Sequence, residues 1–91
     1  MTNNFDVGDI VISTAGRDEN RVYLISQIVD KDFVLVVDGN FKKLINPKKK
    51  RVKHLKNSGI KIDSIAEKLL SDKKVFDTEV YSAIKNCEIN K

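Results

Sequence analysis

Apolar residues in the N-terminal half of this chain recur with period two, and those near the C-terminus recur at three and four. "GDIVIS" sets Ile10 and Ile12 on one face and Val11 and Ser13 on the other, which predicts a strand over about 9–13. "RVYLISQIV" (21–29) and "FVLVV" (33–37) are rich in β-branched and aromatic residues and predict two central strands, separated by the polar break Asp30, Lys31, Asp32. Before them, "STAGRDEN" reads as a polar turn in which Gly16 and Asn20 are the residues that most readily take positive φ. Asp38-Gly39 suits a type I′ turn and predicts a hairpin into "FKKLI" (41–45) as partner strand. Pro47 breaks the pattern, and "RVKHL" (51–55), with Val52 and Leu55 set among charges, predicts a last short strand.

About five short antiparallel strands joined by tight turns imply a small, strongly twisted barrel or sandwich. A barrel interior uses one face of each strand, yet Phe33, Leu35 and Val37 oppose Val34 and Val36, and Tyr23 and Ile25 oppose Val22 and Leu24. The outer face therefore needs a cover. "SIAEKLL" predicts a helix, with Ser64 and Glu67 at capping-box spacing and Ile65/Leu69 and Ala66/Leu70 paired at i, i+4. A second helix is expected from Asp77 as N-cap, with Phe76 and Tyr81 placed for a hydrophobic staple and Val80 and Ile84 continuing the stripe. The expected molecule is mainly β, a barrel over 1–57 followed by a helical extension over 58–91 that packs on it to form a single domain. Docking of the helices on a partner is the alternative.

Length and composition narrow the function. With 91 residues and 41% hydrophobic content, the chain can bury one modest core. The single cysteine, Cys87, has no bridge partner and lies far in sequence from the only histidine, His54, so neither a disulfide nor a zinc-type ligand set is expected. No nucleophile and base are spaced as in a catalytic motif, no glycine-rich phosphate loop occurs, and no cofactor signature appears, so an enzyme is not expected. No stretch approaches the roughly 18 apolar residues of a membrane span, and the N-terminus lacks a charged region followed by an apolar core. A cytoplasmic monomer is the expectation.

Charge changes the picture most. The net charge is +4, but residues 1–40 hold 3 basic and 7 acidic residues, 41–61 hold 9 basic and no acidic, and 62–91 hold 5 and 6. All the positive excess thus sits in one block, densest at "NPKKKRVKHLK" (46–56), and such a block attracts polyanions through its local field and counterion release. Lysine runs are often solvated faces, and "PKKKRVK" also reads as a nuclear import signal, a pattern that any folded basic strand matches by chance. Here Phe41, Leu44, Ile45, Val52 and Leu55 are interspersed through the block and anchor it to a folded frame.

Four elements occur in order: an opening strand from Gly8 to Ser13, a "STAGRD" turn, a "V-DG" hairpin at Val37 to Gly39, and a "PKKK…KHL" strand from Pro47 to Leu55. In this the chain resembles KOW-motif proteins, and among them small bacterial KOW-domain RNA-binding proteins similar to a large-subunit ribosomal protein of archaea and eukaryotes. The resemblance covers about residues 7–56, and Asn20 stands where such turns usually carry glycine. It implies an SH3-like (KOW) barrel that contacts structured RNA, ribosomal RNA above all, through the turn and the neighbouring basic strand, with ribosomal or transcription-complex proteins as further partners.

The residues agree with that chemistry. Arg17 and Arg21 flank the turn with guanidinium forks suited to phosphate or a base edge, and Asp18 is expected to brace Arg17 or cap the turn. Lys42, Lys43, Lys48, Lys49, Lys50, Arg51, Lys53 and Lys56 are candidates for phosphate contacts, and His54 for stacking on a base. Changing Lys48, Lys49, Lys50 and Arg51 together to glutamine is expected to weaken binding and leave the fold intact. Phe5, Tyr23, Phe33, Phe41, Phe76 and Tyr81 are accounted for as core or staple, which argues against a single-strand binder with exposed rings and favours folded RNA. The competing reading is an SH3-like interaction module for an acidic protein of the translation or transcription machinery. Phosphate charge alone separates RNA from DNA in neither case.

Overall fold

The computed structural model describes residues 4–89, so the polar N-terminal segment at 1–3 and the last two positions lie outside the described residues. Five antiparallel strands, β1 (Asp9–Ser13), β2 (Val22–Ile28), β3 (Phe33–Val37), β4 (Lys48–Arg51) and β5 (Leu55–Lys61), are followed by α1 (Asp63–Leu70) and α2 (Asp77–Ile89). The sheet order is β4-β3-β2-β1-β5, so the two edge strands are consecutive in sequence. They are joined by a single 3-10 turn, Val52–His54, and so short a link forces the sheet to curl and brings the end of β4 to the start of β5. A small barrel-like, mainly β fold results. Among the described residues no helix is long and apolar enough to cross a membrane.

Both faces of the sheet are apolar, as the strand patterns require. Val11, Tyr23, Ile25, Val34, Val36 and Leu55 fill the barrel interior. Ile10, Val22, Leu24 and Val37 point outward and pack against Ile65 of α1 and Val80 and Ile84 of α2. The helices are the cover that the outer face needed. Alternate burial along each strand follows from period two, and burying both faces recovers apolar area that an open barrel of this size would leave in water.

Several local expectations are corrected. Residues 41–45 form no strand, and the partner of β3 is β4, with Phe33 opposite Arg51 and Val36 opposite Lys48. The physical reason is that Asp38 does not close a tight hairpin. Its Oδ1 accepts the backbone N–H groups of Asn40 and Lys42 at 2.9 and 2.8 Å, and the loop is then drawn to α2, where the Leu44 N–H donates to Asp77 Oδ1 at 2.8 Å. Phe41 and Ile45 consequently lie outside the core, 70% and 93% exposed.

The expected strand over 51–55 is split by the 3-10 turn, and the last strand instead runs to Lys61, past residue 57. "LKNSGIK" carries little strand signal because Lys, Asn, Ser and Gly disfavour strands, and its pairing with β1 is bulged: Ile60 faces Ile10 while Asn57 faces Val11. Polar side chains stitch the bulge, with Ser58 Oγ donating to the Ile10 carbonyl at 2.6 Å and Asn57 Nδ2 to Asp9 Oδ2 at 3.1 Å.

Helix starts also come earlier than expected, by two residues in α1 and by one in α2. Ile62, not Ser64, precedes α1, and no side chain caps it, so the Ser64/Glu67 box is not formed. Leu70 is exposed, which leaves the Ala66/Leu70 pair without a buried second member. In α2, Asp77 is already helical and spends its carboxylate on Leu44 rather than on its own helix. The residue before the helix is Phe76, whose N–H donates to Glu79 Oε2 at 2.9 Å in the backward half of a capping box. That frame places Val75 and Val80, members of one apolar cluster, at the staple positions expected of Phe76 and Tyr81, both of which are exposed. Glu79 also accepts Lys68 Nζ at 2.6 Å, tying the helices together, and these donors hold its carboxyl below the usual range.

Candidate functional site

The 14–20 turn folds back on itself because Gly16 and Asn20 take φ of 83° and 73°, as their residue types suggested. Its ends are locked by the Asn20 N–H to the Ser13 carbonyl at 2.7 Å and by the Ser13 N–H to the Arg21 carbonyl at 2.9 Å. The turn is also fastened to the basic segment, since the Thr14 N–H donates to the His54 carbonyl at 2.9 Å. This geometry directs the Asp18 side chain inward.

Four donors converge on that carboxylate. Ser13 Oγ and Lys50 Nζ both reach Oδ1 at 3.0 Å, while Tyr23 OH at 3.0 Å and Lys48 Nζ at 2.9 Å reach Oδ2. The lysines arrive there by strand parity. Lys48 and Lys50 are the cross-strand partners of Val36 and Val34, both barrel-interior residues, so their stems share that face. Lys50 is 9% exposed. It is a structural cation whose charge is spent inside the protein, and Asp18 braces β4 rather than Arg17.

Burial by itself would raise the Asp18 carboxyl, but the hydrogen bonds from Lys48, Lys50, Tyr23 and Ser13 outweigh it and hold the group well below its ordinary value of 3.8. For Tyr23, burial and then the bond to Asp18 and its negative charge push the hydroxyl above its ordinary value of 10.0. The two shifts act at opposite ends of the pH scale. A lowered carboxyl contributes stability above its unfolded value and loses it as pH falls toward the folded one. A raised hydroxyl contributes below its unfolded value and loses it as pH rises. Denaturant midpoints should therefore be flat in this contribution between about pH 4 and 10 and fall on both sides, whereas Tyr23→Phe should make the alkaline decline shallower. An unchanged alkaline limb in that variant would show that Tyr23 is not coupled to folding.

The opposite face of β4 is the solvent face. Lys49 Nζ lies 4.6 Å and the Arg51 guanidinium 5.0 Å from the centroid of the Phe33 ring, so the ring supports two exposed cations. Exposed Lys53 and half-buried His54 follow in the 3-10 turn, and exposed Lys56 stands on β5 opposite Ile12. Lys43 is exposed in the 38–47 loop.

Arg17, Arg21, Lys42 and Lys48 come together with Asp18, Tyr23 and Phe41 around one open cavity of about 270 Å³. Arg21 lies over the Phe41 ring at 5.0 Å. The structure thus divides the candidate residues into this cluster, the β4 outer face with the 3-10 turn and β5 that follow it, Lys43 in the 38–47 loop, and the inward Lys50. Pattern reading missed Phe41 as an exposed ring and missed Ser13 and Tyr23 as partners of Asp18. Only the inward parity of Ser13, shared with Val11, marked it in the sequence, and nothing local marked Phe41. No family model matches the sequence.

Proposed function

We propose that this protein binds structured RNA, ribosomal RNA being the class its sequence resemblance implies, through the 14–20 turn, the outer face of β4 and the segment that follows. The observation that supports this best is the disposition of charge. Arg17, Arg21, Lys42, Lys49, Arg51, Lys53 and Lys56 are held on or beside a sheet, and Asp18, which shares a cavity with Arg17, Arg21 and Lys42, is turned inward and neutralised by Lys48 and Lys50. Outward cations therefore keep their field for a phosphate backbone, and a rigid frame lets them match the fixed spacing of a folded RNA. Arg17 and Arg21 supply bidentate donors, while the lysines add affinity without sequence information.

The test uses cations that the fold does not need. Lys49, Arg51, Lys53 and Lys56 changed together to glutamine should keep the unfolding midpoint close to that of the parent. Binding to structured RNA should weaken, and the slope of log affinity against log salt should flatten by about three units, at 0.7–0.9 per lost phosphate contact. Fluorescence anisotropy against structured RNA, single-stranded RNA and duplex DNA across a salt series reads this. Weak binding to all three at near-physiological salt would overturn the reading and favour an acidic protein partner, and preference for duplex DNA would overturn the choice of RNA.

A further inference from the structure

Phe41 is a large ring left in water beside a cationic cavity. Its loop is not loose: the Asp38 and Gly39 N–H groups donate to the Lys42 carbonyl at 2.8 and 3.2 Å, and Leu44 is bonded to Asp77 of α2. Gly39 lies so close to that helix that a Cβ there would fall 2.7 Å from the Tyr81 nitrogen. The 70% exposed ring, held on a braced loop with Arg21 over it at 5.0 Å, presents an ordered stacking surface.

Two cavities meet at this ring, both walled by Arg21 and Phe41 and each of about 270 Å³. They differ in chemistry. The first adds Asn20, Asn40 and Asp38, amide and carboxylate groups that can pair with a base edge, and Tyr81, a second aromatic ring with Lys85 over it at 5.5 Å. The second adds Arg17, Lys42 and Lys48, a set of cations around a carboxylate already saturated by its own donors. Flat, aromatic chemistry on one side and anionic chemistry on the other describe a nucleotide.

Resting on the RNA-binding reading, we infer that the paired cavities take one unstacked nucleotide of the bound RNA, its base against Phe41 beside Asn20 and Asn40, and its phosphate between Arg17 and Lys42. Arg21, lying on the Phe41 ring, stiffens the platform and adds charge between the two subsites. The protein then reads a folded RNA with an extruded base rather than a continuous duplex, since a buried base has no face to offer Phe41.

Three labelled RNAs test this by anisotropy: a fully paired duplex, the same duplex with one unpaired adenosine, and the same duplex with an abasic nucleotide at that position. The parent protein should prefer the adenosine bulge to both others on the order of tenfold, the size of one base-aromatic stack. Phe41→Ala should reduce the preference to within about twofold and Phe41→Tyr should keep it. Lys49→Gln/Arg51→Gln, outside the cavities, should weaken binding to all three RNAs and keep the ratio. Equal binding of the adenosine and abasic bulges, or a preserved preference in Phe41→Ala, would overturn the inference and leave RNA binding standing. Absence of binding to any of the RNAs would overturn both. Free adenosine monophosphate competing at concentrations comparable to the RNA would overturn an RNA chain as the source of the nucleotide.

Discussion

Asp18→Ala is expected to lower the unfolding free energy by about 3–5 kcal/mol, the size of effect seen when one partner of a buried ion pair is removed. Lys50 would keep its charge with its side chain 10% exposed and no counter-ion, and the Tyr23 hydroxyl would lose its acceptor. Lys48 adds little to the loss, because its side chain is 37% exposed and can turn to water. Against a total stability of about 5–15 kcal/mol for a small domain, the variant should unfold at markedly lower urea. Adding Lys50→Met should restore much of the loss, since it removes the stranded charge while keeping the stem, and a double-mutant cycle measures the coupling. A cost below about 1 kcal/mol for Asp18→Ala would show that Lys50 reaches water when unpaired. The same geometry corrects the expectation for the fourfold change of Lys48, Lys49, Lys50 and Arg51 to glutamine. That variant strips Asp18 of both cations, so it should lose stability, and a fall in binding measured on it would not isolate surface charge.

Gly8→Ala is expected to cost about 2–4 kcal/mol through strain and overpacking combined. Gly8 has φ of 92°, and a Cβ there would lie 2.5 Å from the Ala66 Cβ and 3.3 Å from the Ile62 carbonyl oxygen. The same residue joins three elements, donating its N–H to the Ile25 carbonyl at 2.8 Å and accepting the Ile62 N–H at 3.0 Å. Helix α1 sits on the sheet at the distance that a missing side chain permits. Thermal or urea unfolding of Gly8→Ala should show the loss. Gly59→Ala, with a similar φ of 85° and open space within 4 Å of where its Cβ would stand, should cost only the backbone strain. Equal losses in the two would show that the Gly8–Ala66 approach adds nothing beyond φ.

Much of the frame was legible locally. β1 and β3 lie where alternation put them, at Asp9–Ser13 and Phe33–Val37, and β2 differs by one residue at each end. Both helices and the positive φ at Gly16 and Asn20 were also readable. These features rest on periods and residue types within a few neighbours. Errors fell where partners distant in sequence decide. Asp38-Gly39 has hairpin chemistry, but Asp77, 39 positions from Asp38, captures the loop through Leu44. "LKNSGIK" lacks strand propensity, but β1 offers it an unpaired edge and its polar side chains satisfy the bulge.

The sequence by itself determined three sheet strands, a glycine-bearing turn, two amphipathic helices, apolar residues on both faces of the strands, and the confinement of positive excess to 41–61. It also placed the candidate cations on a folded segment. Tertiary structure alone decided which of them face water. Pairing of β4 with β3 in one register sends Lys48 and Lys50 to Asp18 and leaves Lys49 and Arg51 on Phe33, and a slip of one residue would exchange the two pairs. The docking of the 38–47 loop on α2 likewise brings Phe41 beside Arg21. Local pattern carries period and charge, but register and burial are set by contacts between segments about 30 residues apart, such as those from Asp18 to Lys48 and Lys50.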